Sequence, residues 1–333
     1  MSIIFFLLLL SSCTSSALFV DVNDGLVLLK IKEQLGNPQE LSNWVEGFHF
    51  CGTYSNGQVE CTSTGRVKHL DFQDIMAPAA PFPEAICDLT ELEALTIEFL
   101  YNLYGPIPSC VNQLSNLHTF AIERTGLSGS LSESLFINHP KLEYLILSSN
   151  AFSGSIPASL STIPILKLVD LSNNSLNGTI LPDLVRGQDS SLHLDNNRLT
   201  GEIPKCYQWV PLESFSVSNN KLTGDPSFLL SKENIFVINL SNNDFEFDLS
   251  NVEISETVSV LDLSFNKIYG KIPQSIATAD HFIRLDFRNN ELCGEIPQRK
   301  VVAWQPYEAA NFADNKCLCG SPLPPCYNPG PAP

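Results

Sequence analysis

Apolar and polar positions alternate along most of the chain in short segments that recur with a fixed period. Each segment ends in an asparagine, and apolar residues lie five and three positions before it, as Leu145 and Leu147 lie before Asn150. Alternation of this kind predicts a short β-strand with its apolar side chains on one face. The asparagines are spaced by 23 or 24 residues, at Asn150, Asn174, Asn197, Asn220, Asn243, Asn266 and Asn290. One strand per period predicts a stack of coils whose strands form a parallel sheet.

The spacing is that of the leucine-rich repeat, L-x-x-L-x-L-x-x-N. Upstream, Thr125 replaces the asparagine and the first turn contains Leu70 and Phe72, which gives about ten turns. We expect each asparagine amide to hydrogen-bond backbone groups inside the stack. Gly201 and Pro204 exemplify the glycine and proline that follow, which predict a tight bend and then a convex segment. The predicted fold class is an α/β-type solenoid, a right-handed superhelix with a parallel concave sheet, a 3₁₀ or irregular convex side and disulfide-stapled caps.

The two ends of the chain differ in composition from the repeats. An amphipathic pattern predicts a helix from Asn23 or Asp24 to Leu35, with Gly36 as its C-cap and Pro38 after it. Such a helix would cover the open core of the first turn. We therefore expect a signal peptide at 1–17, an N-terminal cap at 18–63, repeats at 64–297, a C-terminal cysteine cap at 298–326 and a disordered tail at 327–333.

The N-terminus predicts secretion. Ile3–Leu10 is an unbroken apolar run, and Ser15 to Ala17 offers small residues for cleavage. A less favoured alternative is a bacterial lipobox, with Cys13 as the lipid-bearing residue. The 19 basic and 36 acidic residues give a net charge of −17, which argues against nucleic acid and against an anionic membrane surface as partners. No membrane span is predicted, and we expect a secreted, extracellular monomer.

The chain contains 10 cysteines, a number typical of a protein from an oxidising compartment. An end turn has no neighbour to cover its core and needs a cap, so we expect disulfides there. The expected pairs are Cys51 with Cys61, Cys293 with Cys317, and Cys319 with Cys326. Cys87, Cys110 and Cys206 lie inside the array, where we expect small buried side chains and at least one free thiol. A metal site at Cys317 and Cys319 is disfavoured because no histidine lies nearby.

Several irregular stretches resemble the polygalacturonase-inhibiting proteins of plants. They are the cap Gly25–Pro38, the repeat Leu222–Asp225 without Ile-Pro, the segment Asn243–Leu249, and the end Leu292–Pro297 with Asn315–Cys326. The resemblance covers nearly the whole mature chain. It implies a secreted defence protein that binds endopolygalacturonases of fungi or insects through its concave sheet, without an active site of its own.

The chain also departs from that family. Phe50-Cys51 stands where the family has Cys-Cys, and no cysteine precedes the helix in the mature chain. Many family members are basic, whereas this chain is acidic. The positions that contact the enzyme in the family carry other residues here. Ile146 replaces an aspartate of the family. Lys167, His193 and Phe236 replace valine, threonine and glutamine, respectively. Ser191 matches the family serine.

The solvent side of the predicted sheet carries an acidic stripe and a small apolar group. The stripe contains Asp71, Glu98, Glu123, Asp170, Asp195 and Asp262. Such a surface favours a basic partner, and apolar residues beside charges are typical of interface hot spots. Polar strand residues can also serve solubility alone. The predicted partner-binding residues are Asp71, Glu98, Glu123, Tyr144, Ile146, Lys167, Leu168, Asp170, Ser191, His193, Asp195 and Phe236.

Other functions are weighed against this one. Ser191, His193 and Asp195 lie side by side on one strand, but no nucleophile turn accompanies them, so we predict no enzyme. No P-loop, dinucleotide or zinc motif is present, and we expect no metal and no cofactor. The alternatives are a soluble recognition module that partners a receptor or, less favoured, an ice-binding protein that uses a serine run. Sequons predict N-glycosylation at Asn173, Asn177 and Asn239, with Asn239 bare if the concave face binds.

Overall fold

The structure is a computed structural model that describes residues 20–51, 57–278, 282–298 and 308–326. The predicted signal peptide and the predicted disordered tail lie outside these residues. The described residues form two long sheets that run along a solenoid, with short 3₁₀ helices between successive strands. The leucine-rich-repeat fold with cysteine caps predicted from the period is therefore confirmed. None of the helices in the described ranges is both long and apolar enough to span a bilayer.

The main sheet forms the concave wall. Its strands are β1 (Val59–Cys61), β2 (Val67–Gln73), β4 (Ala94–Glu98), β6 (Thr119–Glu123), β8 (Tyr144–Ile146), β10 (Leu168–Asp170), β12 (Ser190–His193), β14 (Leu212–Ser216), β16 (Val237–Asn239), β18 (Val260–Asp262) and β20 (Arg284–Asp286). Every neighbouring pair is parallel except β1 and β2, which are antiparallel. One strand per repeat, in order along the chain, is the topology that a stack of coils requires.

A second parallel sheet follows the bend of each repeat. It contains β3 (Ala80–Pro81), β5 (Leu103–Gly105), β7 (Gly126–Ser130), β9 (Ala151–Ser155), β11 (Ser175–Gly178), β13 (Arg198–Glu202), β15 (Lys221–Gly224) and β17 (Asp244–Phe245). A smaller sheet of β19 (Tyr269–Gly270), β21 (Glu291–Glu295) and β22 (Cys317–Cys319) continues it. Gly178 and Gly201 have φ of 80° and 81°, which lets these strands turn back sharply.

The 3₁₀ helices occupy the convex side, and prolines precede most of them. Pro157 and Pro204 are the N-caps of two such helices. The segments are Gln39–Leu41, Glu84–Asp88, Ser109–Gln113, Glu133–Leu135, Ala158–Thr162, Lys205–Trp209, Ser227–Leu229 and Ala309–Phe312, with one short α-helix, α2, at Ser275–Thr278. The predicted 3₁₀ convex side is confirmed, and the second sheet adds regular structure that the sequence interpretation left irregular.

The periodic asparagines lie inside the stack and bond the backbone of two turns. The Asn197 Nδ2 donates to the carbonyls of Leu194 at 3.1 Å and of Leu171, one turn earlier, at 2.9 Å. Its Oδ1 accepts the backbone N–H of Leu176 at 2.9 Å. The same pattern recurs at Asn174, Asn220, Asn243, Asn266 and Asn290. The predicted asparagine ladder is confirmed, and Asn315 extends it into the C-terminal cap.

The N-terminal cap begins with α1, Val22–Gln34, one or two residues earlier than predicted because Asp21 is the N-cap. Its side chain accepts the N–H of Asn23 at 2.9 Å. Asp24, a predicted start of the helix, is instead buried and accepts Arg66 Nε at 2.9 Å and Val67 N–H at 2.8 Å. The helix is therefore tied to the first strand of the repeats.

Four disulfides join described cysteines. Three are the terminal pairs set out above, Cys51–Cys61, Cys293–Cys317 and Cys319–Cys326. The fourth joins Cys87 to Cys110. The expectation that these two are unpaired buried side chains is wrong, because they lie in the consecutive convex segments Glu84–Asp88 and Ser109–Gln113, with Cα atoms 5.8 Å apart. Cys206 is free among the described cysteines.

Candidate partner-binding surface

The solvent side of the main sheet is arranged in columns that run across the strands. One column contains Asp71, Thr96, Ala121, Ile146, Asp170, His193, Ser216, Asn239, Asp262 and Asp286, each paired in register with the next. The next column begins with Gln73, Glu98 and Glu123. Because the predicted acidic residues fall in different columns and turns, they form separate groups and not one stripe.

The first group, here named the acidic group, consists of Asp71, Glu98 and Glu123 on β2, β4 and β6. The pKa of Asp71 is raised mainly by burial, against a hydrogen bond from Gln73 that lowers it. The pKa of Glu98 is raised by burial first and then by the negative charges of Glu123 and Asp71. The Oδ1 atom of Asp71 is buried and has no hydrogen-bond partner among the described residues. Among the described residues, the carboxylate of Asp71 is therefore incompletely satisfied, whereas Glu123 Oε2 accepts the hydroxyl of Ser148 at 2.8 Å.

An apolar group of Tyr144, Ile146 and Leu168 lies beside Asp170 in the middle of the sheet. The register pairs Leu168 with Tyr144 and Asp170 with Ile146. Tyr144 is 38% exposed, and Ile146 and Leu168 are partly exposed. Asp170 Oδ1 accepts the N–H of Ser172 at 2.9 Å, which holds the carboxylate at the edge of the apolar group. The structure thus brings these predicted residues together.

Lys167 lies at the entry edge of the sheet and forms an ion pair. Its Nζ is 2.6 Å from Glu143 Oε2. The hydrogen bond to Glu143, followed by the charge of that carboxylate, raises the pKa of Lys167. A protein that approaches Lys167 therefore meets an ion pair with no net charge. Phe236, at the same edge three strands later, is 45% exposed and lies apart from the apolar group.

Ser191, His193 and Asp195 are not arranged as a catalytic triad. His193 Nε2 lies 2.8 Å from Ser214 Oγ on the next strand. Asp195 Oδ1 accepts hydrogen bonds from the N–H and the hydroxyl of Ser218, at 2.8 and 2.7 Å. Both side chains therefore interact with the following turn and not with each other.

Two sequence expectations about this face need correction. Ser216 and Ser218 are buried, because their hydroxyls bond Asp195 one turn earlier, so the serine run cannot form an exposed regular array. Asp262 is only 3% exposed, because Arg284 Nη2 covers it at 2.7 Å from Oδ2. Asp262 is therefore not available to a partner as part of an acidic stripe.

Sequence reasoning also missed a set of residues in the last three turns. Arg284 and Arg288 border a pocket above Asp262, and Phe265 forms part of its wall. Phe265 has a φ of 56°, a position that asparagine occupies in most other turns. That departure from asparagine, and two arginines four residues apart on one strand, were the available signals.

The three sequons differ in their surroundings. Asn177 is exposed on the second sheet. Asn173 bonds Ser172 through Nδ2 at 3.3 Å and accepts Asn196 Nδ2 at 2.9 Å. Asn239 accepts two hydrogen bonds from Ser241 on the concave face. A glycan therefore finds the least obstructed position at Asn177.

Comparison with known proteins gives a consistent picture. The Leucine Rich Repeat family model matches residues 141–163, 166–186 and 257–279. Polygalacturonase inhibitor 1 of Oryza sativa subsp. japonica is 35% identical over 105 residues, which are 32% of this chain and 31% of that protein. The polygalacturonase inhibitor of Vitis vinifera is 36% identical over 117 residues, which are 35% and 34% of the two chains. The chain thus spans about a third of the length of these curated relatives.

Solved structures extend the likeness to the whole fold. The crystal structure of a plant ice-binding protein is 32% identical, with a TM-score of 0.84, and the match covers 93% of this chain and 99% of that one. The ectodomain of the Arabidopsis thaliana receptor kinase GASSHO1/SCHENGEN3 is 30% identical, with a TM-score of 0.69, over 81% of this chain and 33% of that one. Together with the repeat and its caps, these matches show that the chain belongs to the leucine-rich-repeat proteins of plants and is similar to the polygalacturonase inhibitors.

Proposed function

We propose that this chain is a secreted inhibitor that binds endopolygalacturonases of microbes or insects through its concave sheet, in plant defence. The observation that carries the proposal is the match to two relatives named polygalacturonase inhibitors in a chain whose concave sheet offers an apolar group beside a charge. The four disulfides favour an oxidising, extracellular location such as the cell wall. The proposed partner is one protein bound by a monomer, with no cofactor.

The charge of the surface supports a basic partner. The acidic group on β2, β4 and β6 brings three carboxylates together, and the charges of Glu123 and Asp71 contribute to raising the pKa of Glu98 after burial does. An enzyme that cleaves an anionic polymer has use for cationic side chains in its cleft, and opposite charges steer such proteins together. The inhibitor would then block the cleft by covering it, with Tyr144, Ile146 and Leu168 as the desolvated centre of the contact.

Inhibition of a panel of purified endopolygalacturonases tests this proposal. The double variant Tyr144→Ala/Asp170→Lys should weaken inhibition at least about tenfold, because it removes an apolar anchor and reverses the charge beside it. The matched control is Tyr269→Ala/Glu246→Lys, which makes the same changes at exposed positions outside the main sheet. Absence of inhibition by the unaltered chain across the panel would contradict the proposal. Equal loss in both double variants would remove the concave face from it.

Ice binding is a second candidate function, favoured by the similarity to the plant ice-binding protein. The surface for it would be the second sheet, where small polar side chains follow the repeat leucine in five consecutive turns: Ser128, Ser153, Asn177, Thr200 and Thr223. These positions recur in each of these turns but are offset by two residues between strands, since Thr200 pairs with Lys221 and Ser153 with Ser130. A glycan on Asn177 would interrupt the series.

Thermal hysteresis and ice recrystallisation assays separate the two candidates. If the second sheet binds ice, Thr200→Tyr should abolish any effect on ice growth and leave polygalacturonase inhibition unchanged. The double variant at Tyr144 and Asp170 should do the reverse. A chain that inhibits no enzyme and shows the ice effect would replace the first proposal with the second.

A further inference from the structure

A polar pocket lies at the C-terminal end of the concave sheet, away from the acidic group. It has a volume of about 260 Å³, and Arg284 and Arg288 of the last turn contribute to its wall together with Asp262 and Phe265 of the turn before. Arg284 and Arg288 project from the same face because an even number of residues separates them along the strand direction. Both side chains lean back over the preceding turn, since one contacts Asp262 and the other covers Phe265.

The two guanidinium groups keep unused hydrogen-bond donors at this pocket. A guanidinium has five N–H donors. In the described part of the chain, Arg284 uses one of them, from Nη2 to Asp262 Oδ2 at 2.7 Å. The guanidinium carbon of Arg288 lies 5.4 Å from the centre of the Phe265 ring. Its Nε is 3.3 Å from Asp286 Oδ2 but lacks hydrogen-bond geometry, so that buried atom has no hydrogen-bond partner there.

The carboxylates at the floor of the pocket are already satisfied. Asp262 Oδ1 accepts the N–H and the hydroxyl of Ser264 at 3.1 and 2.6 Å, while Oδ2 accepts Arg284. Asp286 Oδ1 accepts the N–H of Arg288 at 3.2 Å. An incoming anion would therefore meet unused guanidinium donors and not free carboxylates. A guanidinium presents paired N–H groups in the geometry that a carboxylate accepts.

An apolar shelf borders the pocket toward the start of the strands. The register pairs Val237 with Val260 and places Val260 beside Arg284. Phe236 and Ile283, at the entry edge of the same region, are 45% and 68% exposed. Exposed apolar side chains beside a charged pocket are typical of interface anchors.

We propose that this pocket binds the side-chain carboxylate of an acidic residue on the protein partner, with a neighbouring apolar residue of that partner on the shelf. The inference rests on the proposed function in one respect, since it takes the concave sheet to be the surface that holds a protein. It adds a second contact region that differs from the acidic group, because each of its two arginines is paired with an aspartate and the region carries no net charge. The partner must then present basic side chains to the first three turns and an acidic one to the last two.

Two variants of the pocket and one matched control test its contribution to inhibition. Asp262→Asn/Arg284→Gln removes the guanidinium and keeps the local charge balanced, and Arg288→Gln removes the second guanidinium. Arg198→Gln removes an exposed guanidinium from the second sheet. Each pocket variant should weaken inhibition of a responsive endopolygalacturonase about tenfold or more, while Arg198→Gln leaves it unchanged. Thermal unfolding of each variant verifies that the fold is retained.

A direct titration keeps the test independent of any enzyme. The probes are three acetylated Leu-X-Leu tripeptides, one with glutamate and an amidated end, one with glutamine and an amidated end, and one with glutamine and a free terminal carboxylate. NMR signals of the Arg288 Nε–H group report binding. We expect saturable shifts with the glutamate peptide alone, and their loss in Asp262→Asn/Arg284→Gln.

The outcomes separate this inference from the proposed function. Inhibition that survives both pocket variants, or shifts that the glutamine amide peptide produces equally, overturns the inference and leaves the proposed function standing. Binding of only the free terminal carboxylate overturns the side-chain source. If the unaltered chain inhibits no enzyme but the glutamate peptide still saturates the pocket, the proposed function fails and the carboxylate site remains.

Discussion

The first three turns and the last seven turns of the solenoid are held to their neighbouring turns by different interactions. In the later turns, an asparagine ladder bonds each coil to the one before it. In the first turns the ladder is irregular: Ile75 and Leu100 are buried apolar residues, and Thr125 stands in for an asparagine. There the Cys87–Cys110 disulfide joins consecutive convex segments. A covalent bond and apolar packing therefore accompany the part of the stack with the fewest ladder hydrogen bonds.

The same two regions also treat their concave carboxylates differently. Asp71 and Asp262 belong to one column of the sheet, yet Asp71 has an unpartnered buried oxygen while both oxygens of Asp262 are occupied. The carboxylate of Asp262 is held by Ser264 and Arg284, whereas among the described residues that of Asp71 accepts one hydrogen bond, from Gln73 to Oδ2. Identical residue types in one column therefore differ in role because their neighbours in the next turn differ.

The strongest test of this comparison is to remove one asparagine of the ladder. Asn220→Ala should lower the free energy of unfolding by about 4 kcal/mol, because it strands two partly buried groups that need partners, the carbonyl of Leu194 and the N–H of Leu199. Thr125→Val in the irregular region should cost only about 2 kcal/mol, since the Thr125 hydroxyl makes two such bonds, with Asn150 Oδ1 and with the N–H of Leu127. Denaturant unfolding of both variants measures the difference, and equal losses would show that the ladder does not distinguish the two regions.

Next in size is the loss of the buried carboxylate of Asp262, which pairs with the exposed Arg284 in the last turns. Asp262→Ala should lower the free energy of unfolding by about 3 kcal/mol, because it leaves the buried N–H and hydroxyl of Ser264 without their acceptor. Asp71→Ala, its counterpart in the same column, should change that free energy by less than about 1 kcal/mol. Chemical denaturation at neutral pH measures both. A loss at Asp71 as large as that at Asp262 would mean that both carboxylates serve the fold.

The amino-acid sequence predicts those features of both regions that depend on local periodicity. Strand positions, the asparagine ladder and the convex 3₁₀ helices follow from the spacing of residues within one turn, because each turn repeats the same local geometry. The sequence does not reveal the contacts between turns, because these join residues more than twenty positions apart. The pairing of Arg284 with Asp262 and the bonding of Ser218 to Asp195 are of this kind.

The sequence did not reveal the Cys87–Cys110 disulfide for the same reason. Cys87 and Cys110 are separated by 23 residues, close to the repeat that pairs Leu70 with Leu95, and they come next to each other only when the coils are stacked. The second sheet was also missed, because the short segments after each asparagine lack the alternation that marks a half-buried strand. Of the proposed binding surface, the sequence predicted on which side of the sheet each residue lies. It did not predict that Ser216, Ser218 and Asp262 are covered by contacts with a neighbouring turn.

The smallest expected effect concerns the pH dependence of the acidic group. Burial raises the pKa values of Asp71 and Glu98 above those of the unfolded chain. For an acid with a raised folded pKa, the ionised form destabilises the fold, and this penalty is fully present above the folded pKa. It disappears as the pH falls through the raised values toward the unfolded ones. The variant Asp71→Asn/Glu98→Gln should therefore be more stable than the unaltered chain at neutral pH, by less than about 1 kcal/mol for each partly exposed charge.

That advantage of Asp71→Asn/Glu98→Gln should shrink as the solution is acidified, because protonation removes the same charges from the unaltered chain. Free energies of unfolding for both chains at a series of pH values between neutral and acidic measure the difference. The control is Asp225→Asn/Glu246→Gln, which removes two exposed charges outside the concave sheet. A difference that grows on acidification would mean that the native contacts favour the ionised carboxylates. The acidic group would then belong with Asp262 among the charges that hold the fold, and its proposed role in meeting a basic partner would lose its physical basis.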